Sequence, residues 1–96
     1  MYKRQVVDVR SSKEVNAWLE DTVSRLGKLD AFASIAGVCI YDSPLAEETD
    51  EHWDFVMDVN AKGVFNCTRA ALKHLPFGGS IVCHYFYMQC HTSNLL

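Results

Sequence analysis

The sequence predicts an α/β chain, a β-α-β-α-β piece of a doubly wound parallel sheet. Three observations predict it. Two stretches carry apolar residues at helical spacing between recognisable start and stop signals. Short runs rich in apolar or β-branched residues precede, separate and follow them. Short connections link these elements in alternation, and a helix between two strands is the crossover that parallel neighbours require.

Residues 5–9 form a short β-branched run with Asp8 near its end, expected as a strand. Ser11 and Glu14 follow at capping-box spacing, which offers two reciprocal side-chain bonds at a helix start. Val15, Trp18, Leu19, Thr22, Val23 and Leu26 then recur on one stripe, while Asn16, Glu20, Asp21, Ser24 and Arg25 fill the other faces. Gly27 stops this helix, because glycine takes a positive φ without penalty. Residues 29–35 are mostly apolar and do not alternate, which predicts a strand buried on both faces. Ala36-Gly37 closes it, and residues 41–49 read as a loop punctuated by Pro44. Residues 50–75 read as one long helix, capped by Thr49, with Asp50, Glu51 and Asp54 at its positive end. Its apolar stripe is Trp53, Val56, Met57, Val64, Cys67 and Ala71. Pro76 and Gly78-Gly79 end it, and Ser80-Ile81-Val82 starts the third strand.

With 96 residues, 49% of them hydrophobic and 22% charged, the chain has room for one small domain with a thin core. It is too apolar for a disordered chain. Nine basic and twelve acidic residues give a formal charge of −3, without the basic excess of a nucleic-acid binder. No apolar run has the length of a membrane span, and the first residues hold no signal-peptide stretch, so the expected address is cytoplasmic. Cys39, Cys67, Cys83 and Cys90 are expected as reduced thiols. Cys83-His84 and Cys90-His91 offer soft metal ligands, but adjacent residues of a strand point to opposite faces, so no metal site is expected.

More specific text stands in order along the chain. Val7-Asp8-Val9 precedes the first helix and Gly27-Lys28-Leu29-Asp30 follows it. Ser34-Ile35-Ala36-Gly37, Trp53, the run Val59-Asn60-Ala61-Lys62-Gly63-Val64-Phe65 and Gly78-Gly79-Ser80-Ile81-Val82 come next. This ordered set resembles the short-chain dehydrogenase/reductase family over residues 6–82. The resemblance implies a partial Rossmann-like NAD(P)-binding domain over residues 1–82. It implies descent from oxidoreductases that move a hydride between NAD or NADP and a small-molecule alcohol or carbonyl. It places Asp8, with Val9 beside it, at the adenine end of the cofactor. Ser34, Ala36 and Gly37 fall where the backbone approaches the cofactor closely. Asn60 falls where the family anchors a water in its proton relay. Ser34-Ile35 stands where the family usually has two asparagines, and a serine replaces part of that bonding. The residues alone allow plainer readings: a solvated Asp8, a strand-ending turn at Ala36-Gly37, and a core amide at Asn60 that ties its helix to neighbouring backbone. Trp18 and Trp53 read as packing residues, and the acidic cluster from Glu47 to Asp58 as a solvated helix start.

Two hallmarks of the family have no counterpart. The first glycine is Gly27, after the first helix, so no glycine-rich pyrophosphate loop opens the chain. None of the five lysines, Lys3, Lys13, Lys28, Lys62 and Lys73, follows a tyrosine by four positions, so Tyr-x-x-x-Lys is absent. Past Val82 aromatic residues replace the expected serines, and residues 83–96 read as a divergent, poorly ordered tail. The expected protein is an oxidoreductase fragment, inactive by itself. The alternative is a non-catalytic interaction protein that pairs with a full-length relative. In the strand order 3-2-1-4-5-6 the run at residues 5–9 has no neighbour and the next strand keeps one bare edge, which predicts self-association.

Overall fold

The computed structural model describes residues 4–39 and 44–84. Helix α1 (Ser12–Leu26) leads to strand β1 (Ala31–Ser34), then a 3-10 turn at Leu45–Glu47. Helix α2 (Asp50–Met57) runs through a π-helical turn at Asp58–Lys62 into helix α3 (Gly63–Leu72), and strand β2 (Ser80–Cys83) follows. The two strands pair in parallel, with Ala31 opposite Ser80 and Ser34 opposite Cys83. The α/β fold and the parallel sheet are therefore as the sequence predicts.

Local chemistry fixes the helices. The Ser11 side chain accepts from the Glu14 N–H, and Gly27 ends α1 at φ 87° with its own N–H bonded to the Val23 carbonyl. The Glu14 carboxylate reaches the Asp8 N–H instead of the Ser11 N–H, because the Ser11 N–H is spent on the Asp8 carbonyl. Thr49 caps α2 through the His52 N–H. Glu48 also pairs with the His52 ring, and the Thr49 N–H holds the Glu48 carboxyl below its usual range, with His52 adding to the effect.

The core lies on one side of the sheet. Val15 and Leu19 of α1, Phe32 of β1, and Cys67, Ala70 and Ala71 of α3 form its centre. Trp18 packs edge-on against Phe32 at 6.1 Å between ring centroids, so its packing role holds. The face that α3 gives the core is made of small side chains. Cys67 is nearly fully buried, and burial pushes its thiol pKa up, with the Cys83 thiol adding to the shift.

Five expectations are corrected. Residues 5–9 are not a strand: a strand exists only with a partner, and none pairs with this run among the described residues. Burial along β1 alternates instead of covering both faces, since α1 and α3 pack on one side alone. The long helix is not one regular helix, because the π-helical turn inserts a residue and shifts the phase. That shift carries Trp53 off the buried face, leaving it 61% exposed rather than packed. The last strand also continues past Val82 to Cys83, and the His84 N–H bonds to the Ser34 carbonyl at 2.9 Å. Residues 85–96, with Cys90 and the rest of the tail, lie outside the described residues.

Candidate functional site

Two backbone corners carry the sequence-predicted site residues, and the α2–α3 helix holds both. The first corner is Asp8-Val9-Arg10, the turn that feeds α1. The Asp8 Oδ1 accepts from the Arg10 backbone N–H at 3.0 Å and from its Nε at 3.0 Å, and Oδ2 accepts from Nη2 at 2.7 Å. This grip holds the Asp8 carboxyl at about 2, well below its ordinary 3.8, chiefly through the Arg10 side chain and then its backbone N–H. The carboxylate is ionised throughout the neutral range. The Nε–H is shared, reaching Oδ2 as well at 3.2 Å, so each carboxylate oxygen accepts two bonds from Arg10, while the side chain stays 41% exposed.

Helix contacts hold this corner. Arg10 lies over the Phe55 ring at 5.3 Å. Val9 packs on Gly63 so closely that a Cβ there would stand 2.6 Å from Val9 Cγ2. Asn66, absent from the sequence-based site, donates to the Val9 carbonyl at 3.0 Å and the Arg10 carbonyl at 3.3 Å. The sequence does hold a signal for it. Asn66 stands three residues after Gly63 and four before Ala70, on a face of small residues, where an amide becomes buried and must find partners.

The second corner follows β1. Ser34 is buried at the strand end, Ala36 is exposed, and Gly37 and Val38 are half-buried. Asn60, inside the π-helical turn, closes a ring of two bonds with Val38: Oδ1 accepts its N–H at 2.8 Å and Nδ2 donates to its carbonyl at 2.7 Å. The plainer reading of Asn60, an amide that ties helix to backbone, is thus realised in the geometry. One lone pair on Oδ1 and one hydrogen on Nδ2 remain for another partner.

Beside Asn60 lies an open groove of about 750 Å³, lined by Val64, Phe65, Thr68, Leu72 and Cys83 among others. Its lining is mostly apolar, and Arg69 supplies a cation seated over the Phe65 ring at 4.5 Å. Among the described residues no group of three or more His, Cys, Asp and Glu is placed to hold a metal. No helix among them is long and apolar enough to cross a membrane.

These residues fit one end of a dinucleotide. The exposed, ionised Asp8 carboxylate suits an amino group such as that of adenine, which would share it with Arg10. The described residues ahead of α1 contain no glycine, and hence no loop of the glycine-rich kind for a pyrophosphate.

A family model described as enoyl-(acyl carrier protein) reductase matches residues 3–93. The short-chain dehydrogenase/reductase ABA4 of Pyricularia oryzae (strain 70-15) is 40% identical over 84 residues, covering 84% of this chain and 31% of the relative. A hydroxy-methyl-oxo-hexahydro-indene-carboxyl-CoA reductase of Mycobacterium tuberculosis is 42% identical over 80 residues, 80% of this chain and 30% of the relative. Among solved structures, a short chain dehydrogenase from Mycobacterium smegmatis superposes with a TM-score of 0.75 at 38% identity, covering 82% of this chain and 34% of that one. ElxO with NADP bound superposes at 0.74 with 29% identity, covering 80% and 32%. The chain spans about a third of the length of the relatives it matches.

Proposed function

The chain belongs to the short-chain dehydrogenase/reductase family, and on that premise we propose that it supplies the adenine-side corner and the relay amide of a cytoplasmic NAD(P)-dependent oxidoreductase acting on a small-molecule alcohol or carbonyl. The observation that carries this is the Asn60–Val38 ring. It fixes the loop one residue past Ala36-Gly37, outside the carboxyl end of β1, where ligands of open α/β sheets bind. In this reading Asp8 accepts from the adenine amino group, with the Val9 backbone beside it. Ser34 closes the strand, and Ala36 and Gly37 let the backbone approach the cofactor without side-chain interference. Asn60 offers its remaining lone pair and hydrogen to a water of the proton relay. The bound nicotinamide supplies the hydride acceptor or donor. Alone, the chain has neither a tyrosine four residues before a lysine nor a glycine-rich loop, so it is inactive and binds nucleotide weakly. NADP bound to ElxO and the named substrates of the relatives support the cofactor and substrate classes.

Pairing with a full-length relative is a second reading. One observation favours it: among the described residues each strand of the sheet has a single partner, and Ile35 and Val82 stand exposed.

Titration of the chain with 5′-AMP and with NADPH, read by chemical shifts of the Asp8 and Val9 amides, tests the first reading. We expect millimolar 5′-AMP binding weakened about fivefold or more by Asp8→Asn, which removes the charge and one acceptor. NADPH should bind no more than about tenfold tighter than 5′-AMP, for want of the phosphate loop. Binding of 5′-AMP that ignores Asp8→Asn, or no binding at all, sinks the assignment of the adenine corner.

A further inference from the structure

We infer that Asn66 is the positioning residue of the Asp8 corner, fixing from α3 the backbone that presents the Asp8 carboxylate. The inference rests on the adenine-corner reading above only for what the carboxylate then binds.

The corner needs such a residue. It has no strand beside it among the described residues, so nothing in a sheet ladder satisfies or orients its carbonyls. Asn66 is 2% exposed, and its Nδ2 carries two hydrogens to two successive carbonyls, Val9 and Arg10. The orientation of the amide is determined by its partners: two acceptors face Nδ2, and the Arg69 guanidinium donates to Oδ1 at 3.3 Å. Arg69 is itself seated over the Phe65 ring, which braces the amide from behind.

The consequence passes along the chain. Arg10, whose carbonyl Asn66 holds, is the residue that grips Asp8 through both its N–H and its guanidinium. Phe55 and Gly63 set the height of the corner above the helix, through Arg10 and Val9. The Asn66 amide adds hydrogen-bond direction to those contacts. Asn60 and Asn66 are six residues apart, about 9 Å along a helix. One helix thus holds the Val38 corner and the Asp8 corner at a fixed separation.

Hydrogen–deuterium exchange read by mass spectrometry on the whole chain tests this in any association state. The Asp8, Arg10 and Ser11 amides are all hydrogen-bonded in the corner, so a peptide over residues 8–11 reports its order. Asn66→Asp presents an acceptor to two carbonyls, and Asn66→Ser is too short to reach both. We expect either variant to speed exchange over residues 8–11 by about tenfold or more, while the centre of α1, residues 15–23, changes by less than about twofold. Unchanged protection at residues 8–11, a rise in step with α1, or failure of both variants to fold would each make Asn66 a residue of the fold and overturn the proposal. Millimolar 5′-AMP added to the wild-type chain separates the two readings. If it leaves residues 8–11 unaffected while the variants still speed their exchange selectively, the adenine assignment fails and the clamp stands.

Discussion

On one face of the β1–β2 sheet, Phe32 and its partner Ile81 meet α1 and α3. On the other face, Ala33, Ile35 and Val82 stand open, with Ile35 and Val82 each 61% exposed. The two faces are equally apolar in sequence and differ only in what covers them. A sheet of this composition is built for a helical layer on each side, and this segment carries the helices of one side. The contrast explains how a chain can hold a well-defined core and still offer a surface that invites association.

Substitutions sharpen the contrast. Leu19→Ala, on the covered side, should cost about 2–5 kcal/mol by urea or thermal unfolding, enough to remove the cooperative transition of a domain this small. Gly63→Ala forces a Cβ onto Val9 and should cost about 1–3 kcal/mol, read the same way, with the Asp8 corner loosened more than α1. Lowering the pH should release that corner before the core. The folded pKa of Asp8 is depressed, so its contribution is complete above the ordinary 3.8 and is lost as pH falls through about 2. Arg10→Ala should move that loss up toward the ordinary value, as followed by carboxyl chemical shifts. Ile35→Lys, on the open face, should alter stability by no more than about 0.5 kcal/mol and shift sedimentation toward the monomer. A Leu19→Ala change as mild as Ile35→Lys would break the distinction between the two faces.

What was legible in the sequence follows the range of the interactions. The start and stop of α1 are written in Ser11, Glu14 and Gly27, all within a turn of the ends they set. The Thr49 cap is local in the same way. The β-branched run at residues 5–9 carries strand propensity, but a strand depends on a partner, and the strand order already leaves this run without a neighbour. Trp53 leaves the buried face because one inserted residue in the π-helical turn breaks the helical phase between it and Cys67, which a regular 3.6-residue period does not show. Asn60 was legible as an amide on an apolar stripe, and the geometry supplied its partner, Val38. The role of Asn66 is not legible locally, because its partners lie 57 and 56 positions away and only the assembled fold brings them together.

The most direct test that this chain is one segment of a larger oxidoreductase fold is the sequence of the native transcript on both sides of the present reading frame. We expect a glycine-rich strand–turn–helix upstream, and a serine followed by Tyr-x-x-x-Lys downstream, which would supply the second helical layer and the missing proton donor. A transcript that opens and closes with these 96 codons would contradict that reading and leave the oxidoreductase as ancestry alone.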